Sequence, residues 1–333
     1  MEQAVFTTAL LRWFAQYGRE LPWRGIGDAY AIWVSEVILQ QTRIDQGRDY
    51  WIRFMERFPT VEDLAAASED EVLRQWQGLG YYSRARNMHA AARQVVEQGG
   101  FPRTIEGLRA LKGVGDYTAA AVGSMAFGLP AAAVDGNVYR VLARHYGIDV
   151  PINTTRGKHT FEALAQELLP PGKASQFNQA MMDFGATWCT PRSPRCLDCP
   201  VAETCHALRS GCVDRLPVKE KKLKVKERHL AYIYVRCQGM TVLRRRPAGD
   251  IWQGLWEPLL VEDGPLPDLG CPLTLLASGV KHVLTHRVLL ADFYLAEPAT
   301  RPDLPGQYQW MAEQDVSQRA VPRLVERLLA QLP

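Results

Sequence analysis

The chain has 333 residues, 47% of them apolar, and 39 basic against 36 acidic side chains leave a net charge of +3. That length suggests two domains or more, and so small a net charge does not by itself announce a nucleic-acid partner. No apolar run approaches the ~20 residues of a membrane span, and the seven cysteines are not spread as the paired framework of a small secreted protein.

Residues 1–17 carry Val5, Phe6, Leu10, Trp13 and Phe14 at roughly helical spacing, interrupted by Thr7, Thr8 and Arg12. This predicts an amphipathic helix, without the basic start and unbroken apolar run of a signal peptide. Free thiols and the lack of a targeting segment point to a reducing compartment such as a bacterial cytoplasm. From residue 1 to about 212 apolar residues recur at i, i+3 and i+4, with stops at Leu21-Pro22, Phe58-Pro59, Gly99-Gly100, Leu129-Pro130 and Pro170-Pro171. The first domain is therefore expected to be all-α.

Asp28 is a good N-cap for the stretch that follows, AYAIWVSEVILQQT. Between Ala29 and Leu39 the strongly polar residues are Ser35 and Glu36 alone. A helix apolar nearly all round is buried, so Glu36 should be partly desolvated, its pKa raised toward that of a general acid at neutral pH. A glutamate paired with an arginine would read the same way. Further on, GLGYYSRARN follows a glycine-rich turn with two aromatic and two basic residues, a pattern suited to base stacking beside phosphate contacts. Tyr81 and Tyr82 are adjacent and cannot both face one core.

In LKGVGDYTAAAV a short helix should end near Leu111 and another begin near Asp116, joined by Gly113-Val114-Gly115. The glycines allow left-handed backbone and close approach, and the amides of the second helix could receive a phosphate. This helix–hairpin–helix spans about residues 106–127. Asp135 in VDGNVYR precedes a helix, where an N-cap is its ordinary role; a catalytic carboxylate is the sharper one. Asn137 could hydrogen-bond it and fix its rotamer.

Cys189, Cys196, Cys199 and Cys205 fall within 17 residues, spaced C-x6-C-x2-C-x5-C. Four thiolates suit zinc or an iron–sulfur cluster. Cysteine-only zinc sites usually have two short pairs, and only the middle gap here is short, so a [4Fe–4S] cluster is expected. Arg192 and Arg195 within the loop should meet phosphate. Residues 213–230 then carry seven basic residues against three acidic ones, a solvated linker that also sits easily near phosphates. After it the texture changes to short apolar or β-branched runs: His229–Arg236, Met240–Arg244, Leu255–Val261 and Arg287–Leu295, with a last helix over Val321–Leu332. The domains are thus read as helical over 1–212, linker over 213–228 and α+β over 229–333.

Together, WVSEVILQQT, GLGYYSRARN, LKGVGDYTAAAV, VDGNVYR, FNQAMMDFGA and the cysteine loop resemble the helix–hairpin–helix DNA glycosylases with an iron–sulfur cluster, and among them the MutY family of adenine glycosylases. The resemblance covers nearly the whole chain. It implies a monomeric base-excision-repair enzyme that hydrolyses the N-glycosidic bond of adenine opposite 8-oxoguanine or guanine in duplex DNA. It implies that Glu36 protonates the adenine, that Asp135, held by Asn137, stabilises the charge developing on the sugar, and that Tyr117 sits by that sugar. It further implies that Gln41 and Tyr81 enter the duplex, Gln179 contacts the flipped adenine, Trp23 and Arg24 line its pocket, and Gly113 and Gly115 meet the backbone.

The second domain resembles Nudix hydrolases in strand pattern and in Gly254-Leu255-Trp256, but lacks their glutamate-rich metal helix, so a lesion-reading role is expected, with Thr285 and His286 nearest the oxidised base. Leu284-Thr285-His286 stands where the family has Phe-Ser-His. Lyase relatives resembling endonuclease III place a lysine at the position of Tyr117, which cannot form an imine. The alternatives are such a glycosylase/lyase on damaged pyrimidines, a non-catalytic iron–sulfur DNA-binding protein, and a nucleotide-pool hydrolase.

Overall fold

The protein is seen in a computed structural model that describes residues 2–40, 42–220, 226–284 and 286–333. Gln41 and Thr285, both expected at the DNA, lie outside the described residues, as do residues 221–225 of the basic stretch.

The helices of the first part are α1 (Glu2–Tyr17), α2 (Ala29–Leu39), α3 (Ile44–Arg57), α4 (Val61–Ala66), α5 (Glu69–Gln75), α6 (Ser83–Glu97), α7 (Ile105–Ala110), α8 (Asp116–Phe127), α9 (Gly136–Tyr146), α10 (Thr155–Glu167), α11 (Ala174–Thr187) and α12 (His206–Arg209). The strands are β1 (Lys226–Cys237), β2 (Met240–Arg245), β3 (Trp256–Glu257), β4 (Leu259–Glu262), β5 (Leu273–Val283), β6 (Arg287–Ala296) and β7 (Gln309–Ala312), followed by α13 (Glu313–Val316) and α14 (Arg323–Leu329). Among the described residues no helix is long and apolar enough to cross a membrane.

The chain forms two compact units that do not follow chain order. One comprises Met1–Ala65 with Ala90–Lys221, the other Ala66–His89 with Lys222–Pro333. Residues 66–89, read in the sequence as part of the helical domain, are thus packed with the β-rich part. The contacts include polar ones: Arg245 Nη2 donates to Glu69 Oε1 at 2.8 Å, and Gln77 Nε2 to Glu326 Oε1 at 2.7 Å.

In the first unit α2 begins where the Asp28 carboxylate accepts the amides of Tyr30 and Ala31. It is buried from Tyr30 to Ile38, as its all-round apolar sequence requires. Phe6, Leu10 and Trp13 of α1 share a core with Val138, Val141 and Leu142 of α9, Phe161 of α10 and Phe177, Met181 and Phe184 of α11. Each such side chain contributes about 1.5–3 kcal/mol on burial. Helices α9 and α11 meet at Gly185, where an added Cβ would lie 2.6 Å from Asn137 Cβ. No side chain fits there, and the close approach brings α11 against the start of α9.

In the second unit the sheet runs β3-β2-β1-β6-β5, with β4 on β1 and β7 on β2. β1 and β6 are parallel from Lys226↔Arg287 to Val235↔Ala296. Strands β5 and β7 and helix α13 were not anticipated. The sequence of β5 hides its period because its register against β6 shifts between Leu275 and Ala277 and again between Ala277 and Val280. Gly279 there has φ +63°, and its amide and the Ser278 hydroxyl both donate to Asp292 Oδ1 at 2.8 Å.

Candidate active site

Glu36 lies on the buried face of α2, 7% exposed. Its Oε2 accepts the Tyr117 hydroxyl at 2.6 Å, from the first turn of α8. The same hydroxyl lies 3.2 Å from Met182 Sδ on α11. Burial pushes the Glu36 carboxyl up to about 7, against the lowering effect of the Tyr117 hydrogen bond; Asp135 adds to the rise and Arg24 opposes it. Burial and then the negative charge of Glu36 and Asp135 hold the Tyr117 phenol well above its ordinary value, so it stays a donor.

Asp135 fills two roles at once. Oδ1 accepts the amides of Asn137 at 2.9 Å and Val138 at 2.8 Å, capping α9, and Oδ2 accepts Asn137 Nδ2 at 2.7 Å. Burial raises its carboxyl above the usual range, while these three bonds and the Arg140 charge pull it back. Among the described residues Glu36 has no comparable set of donors. Of two carboxylates within electrostatic reach, the one better supplied with donors ionises and the other keeps the proton. Of the two, Glu36 is therefore the more readily protonated and Asp135 the more readily ionised.

Asn137 is held in turn, since Arg140 Nη2 donates to its Oδ1 at 2.8 Å and to Gly185 O at 2.6 Å. Arg24 does not pair with Glu36; its Nη1 and Nη2 grip Asp183 Oδ2 and Oδ1 at 2.8 and 2.7 Å. Arg19 binds the same carboxylate through its amide and its Nε, each at 2.9 Å. Asp183 is fully buried, and the two arginines hold its carboxyl below the usual range despite that burial. Asp183, Met182, Arg19 and Arg140 were not singled out in the sequence. Asp183 could have been: like Glu36, it is the lone charge of its helix, ASQFNQAMMDFGAT.

Trp23 is buried, its ring centroid 5.6 Å from that of Trp51. Gln179 lies on the same helix as Met182 and Asp183, its amide donating to Ser175 Oγ at 3.0 Å. The hairpin between α7 and α8 is exposed at Gly113 and Gly115. Gly113 has φ +77°, and Gly115 caps α8 without a side-chain partner for the first amides.

Cys189, Cys196, Cys199 and Cys205 line one cavity with Arg144, Phe184, Trp188 and Val201. Burial, with the neighbouring thiols adding to it, pushes Cys199 up to about 12. Four thiols in one poorly solvated cavity ionise together only around a cationic centre. Among the described residues no three His, Cys, Asp or Glu converge closely enough for a single metal ion. Arg144 Nη1 lies 3.5 Å from Cys189 Sγ. Arg192 and Arg195 are exposed on the same loop, and the Arg195 guanidinium stacks 3.8 Å above the Trp188 ring.

Within the second unit, a cleft of about 840 Å³ is lined by Tyr81, Arg86, Trp252, His282, Leu284 and His286, among others. Tyr81 and His286, assigned to the DNA from distant parts of the sequence, thus face one cleft. Tyr81 is 48% exposed and Tyr82 6%, so the pair divides between solvent and core as adjacency demands.

The HhH-GPD superfamily base excision DNA repair profile matches residues 34–171, and a NUDIX domain profile matches residues 231–331. The chain is 46% identical to the mouse adenine DNA glycosylase over 64% of its length, and spans 44% of that relative. It spans less than half the length of the mouse, human and rat adenine DNA glycosylases. It is 32% identical to the adenine DNA glycosylase of Buchnera aphidicola subsp. Schizaphis graminum, covering 76% of this chain and 74% of that one. Among solved structures, a thermostable thymine-DNA glycosylase superposes with a TM-score of 0.58 at 32% identity, over 63% of this chain and 97% of its own. The match to the Buchnera relative, 32% identical across 74% of that protein's own length, is the ground on which the chain belongs to the adenine DNA glycosylase family.

Proposed function

We propose that this chain is a monofunctional glycosylase that removes adenine mispaired with 8-oxoguanine, and with guanine, from duplex DNA. The observation that carries the reading is the 2.6 Å hydrogen bond from Tyr117 to a buried, readily protonated Glu36, with Asp135, better supplied with hydrogen-bond donors, close enough to act electrostatically on both. Cleaving an N-glycosidic bond needs both an acid and an anion. The leaving base must be neutralised, and the positive charge growing on the sugar must be matched.

The adenine leaves the helical stack to reach these groups, because its N7 and its sugar are out of reach in a paired duplex. Glu36 then protonates N7. Asp135, oriented by Asn137, faces the oxocarbenium-like sugar, and water completes the hydrolysis. Trp23, Arg24 and Gln179 border the base, while Gln41 and Tyr81 enter the duplex. The amides at Gly113–Gly115 receive backbone phosphate. Tyr117 stands where an imine-forming lysine would be needed, so the product is an intact abasic strand. Thr285 and His286 read the base opposite.

Cys189, Cys196, Cys199 and Cys205 would hold a [4Fe–4S] cluster, whose part is to fix the loop bearing Arg192 and Arg195. The protein acts as a monomer in a reducing compartment, at the nucleoid if the cell is bacterial.

The test is single-turnover base release from duplexes carrying adenine opposite 8-oxoguanine, guanine or thymine. Release should be fastest on the first and slowest on the last. Glu36→Gln and Asp135→Asn should each slow it by about 10²–10³ or more. Near-wild-type turnover by either variant, or high-yield borohydride trapping of the wild type, would overturn the scheme.

A further inference from the structure

The Tyr117 hydroxyl has one proton and two acceptors beside it. Its oxygen is 2.6 Å from Glu36 Oε2 and 3.2 Å from Met182 Sδ. A thioether sulfur brings lone pairs and no proton, and an ionised carboxylate does the same. While Glu36 is charged, a single proton must therefore serve both neighbours, and one of the two contacts is left unfilled. When Glu36 is neutral with its proton on Oε2, the row Oε2–O–Sδ holds two protons and both gaps are filled. Glu36 then donates to the phenol oxygen, and the phenol donates to the sulfur.

We infer that Met182 is a positioning residue, whose thioether accepts the Tyr117 proton and so completes a hydrogen-bond chain that exists only for the acid form of Glu36. The protons balance through the reaction. Glu36 turns its carboxyl to the base and gives up its proton. The Tyr117 O–H swings from sulfur to the new carboxylate. The chain resets when Glu36 takes a proton from water. Met182 thus favours the proton's presence before the chemical step, and Tyr117 stabilises the carboxylate after it.

The charged groups acting on Glu36 are Asp135 at the head of α9 and Arg24 ahead of α2, the latter held by Asp183 on α11. Met182→Leu changes none of them and nearly conserves volume. Without the sulfur, Tyr117 donates to Glu36 alone, which favours the ionised form.

The inference rests on the glycosylase reading for its kinetic assay. The rate of single-turnover adenine release should fall as pH rises through the Glu36 value of about 7. In Met182→Leu the midpoint should move down by about half a unit to one unit, the range set by one neutral hydrogen bond, making release about 3–10-fold slower above the midpoint. The low-pH plateau should be unchanged. In a Tyr117→Phe background the same substitution should move nothing. Titration of the ¹³C-labelled Glu36 carboxyl by NMR, in wild type and in Met182→Leu, reads the same shift without turnover. Failure of the wild type to release adenine would sink the glycosylase reading while this titration still tested Met182. An unmoved midpoint, a uniform loss at every pH, or a shift that survives in Tyr117→Phe would overturn the role of the sulfur.

Discussion

Glu36→Gln should yield a protein that is inactive and more stable. In the wild type the carboxyl is raised from an ordinary 4.5 to about 7, burial being the main cause. A folded state that binds the proton more tightly than the unfolded chain is stabilised below the unfolded value. It loses that advantage as pH rises through the folded one. Above about pH 7 the wild type must bury an ionised side chain, at a cost of about 1.4 kcal/mol for each unit by which the value is raised, hence about 3 kcal/mol in all. Glutamine keeps the shape, remains neutral and still accepts the Tyr117 hydroxyl. The stability curves of the two proteins should therefore run parallel below about pH 4.5 and diverge above it, the variant gaining about 3 kcal/mol by pH 8. For a unit of this size that is about 6–12 °C in the midpoint of thermal unfolding. The assay is thermal unfolding followed by circular dichroism across that pH range, with base release measured on the same preparations. A variant no more stable than wild type at pH 8 would refute the desolvated-acid argument.

Asp183→Asn should destabilise the first unit by about 3 kcal/mol, the low end for breaking a buried ion pair from one side, because the Arg19 and Arg24 side chains are 27% and 16% exposed. Since the folded Asp183 carboxyl lies below its ordinary value, this difference should persist above about pH 4 and fade only in stronger acid, as pH falls through that lowered value; a denaturant titration at both ends of the range checks it. Gly185→Ala should force α9 and α11 apart at Asn137 and cost about 1–3 kcal/mol, with base release falling further than stability alone explains because Asp135 is displaced; single-turnover rates well below the unfolding midpoint separate the two. Cys196→Ser should lower soluble yield and iron content together, and stoichiometric zinc in anaerobically purified wild type would refute the cluster assignment.

The sequence was most legible where one residue type broke a strong pattern. Glu36 stood out because α2 is otherwise apolar, and the glycines of the hairpin because the helical period stopped and restarted around them. Asp135 was harder, since an aspartate ahead of a helix is ordinarily a cap. It is a cap, and that role leaves it free for the catalytic one proposed above, since a carboxylate that fills a helix start can also face a substrate. The clamp on Asp183 was missed because its partners, Arg19 and Arg24, lie more than 150 residues away, and no local spacing announces such a pairing. Met182 carries no charge and reads as core. Strand β5 was lost for a different reason: two register shifts and a left-handed glycine destroy the alternation by which a strand is recognised. The packing of residues 66–89 with the sheet was equally hidden, because their helical period is the same whichever partner buries it.

The start of β1 fixes more than a strand. The Lys226 amide donates to His286 O at 3.1 Å, and the parallel ladder counts upward from Lys226↔Arg287 without interruption. The turn carrying His286 is thereby indexed to the first residue beyond the basic stretch. One residue inserted into β1 near its start would turn every side chain upstream of it to the opposite face, and two would slide the pairing by about 7 Å. An insertion ahead of Lys226 leaves this pairing as it is, whereas the same insertion a few residues later shifts it.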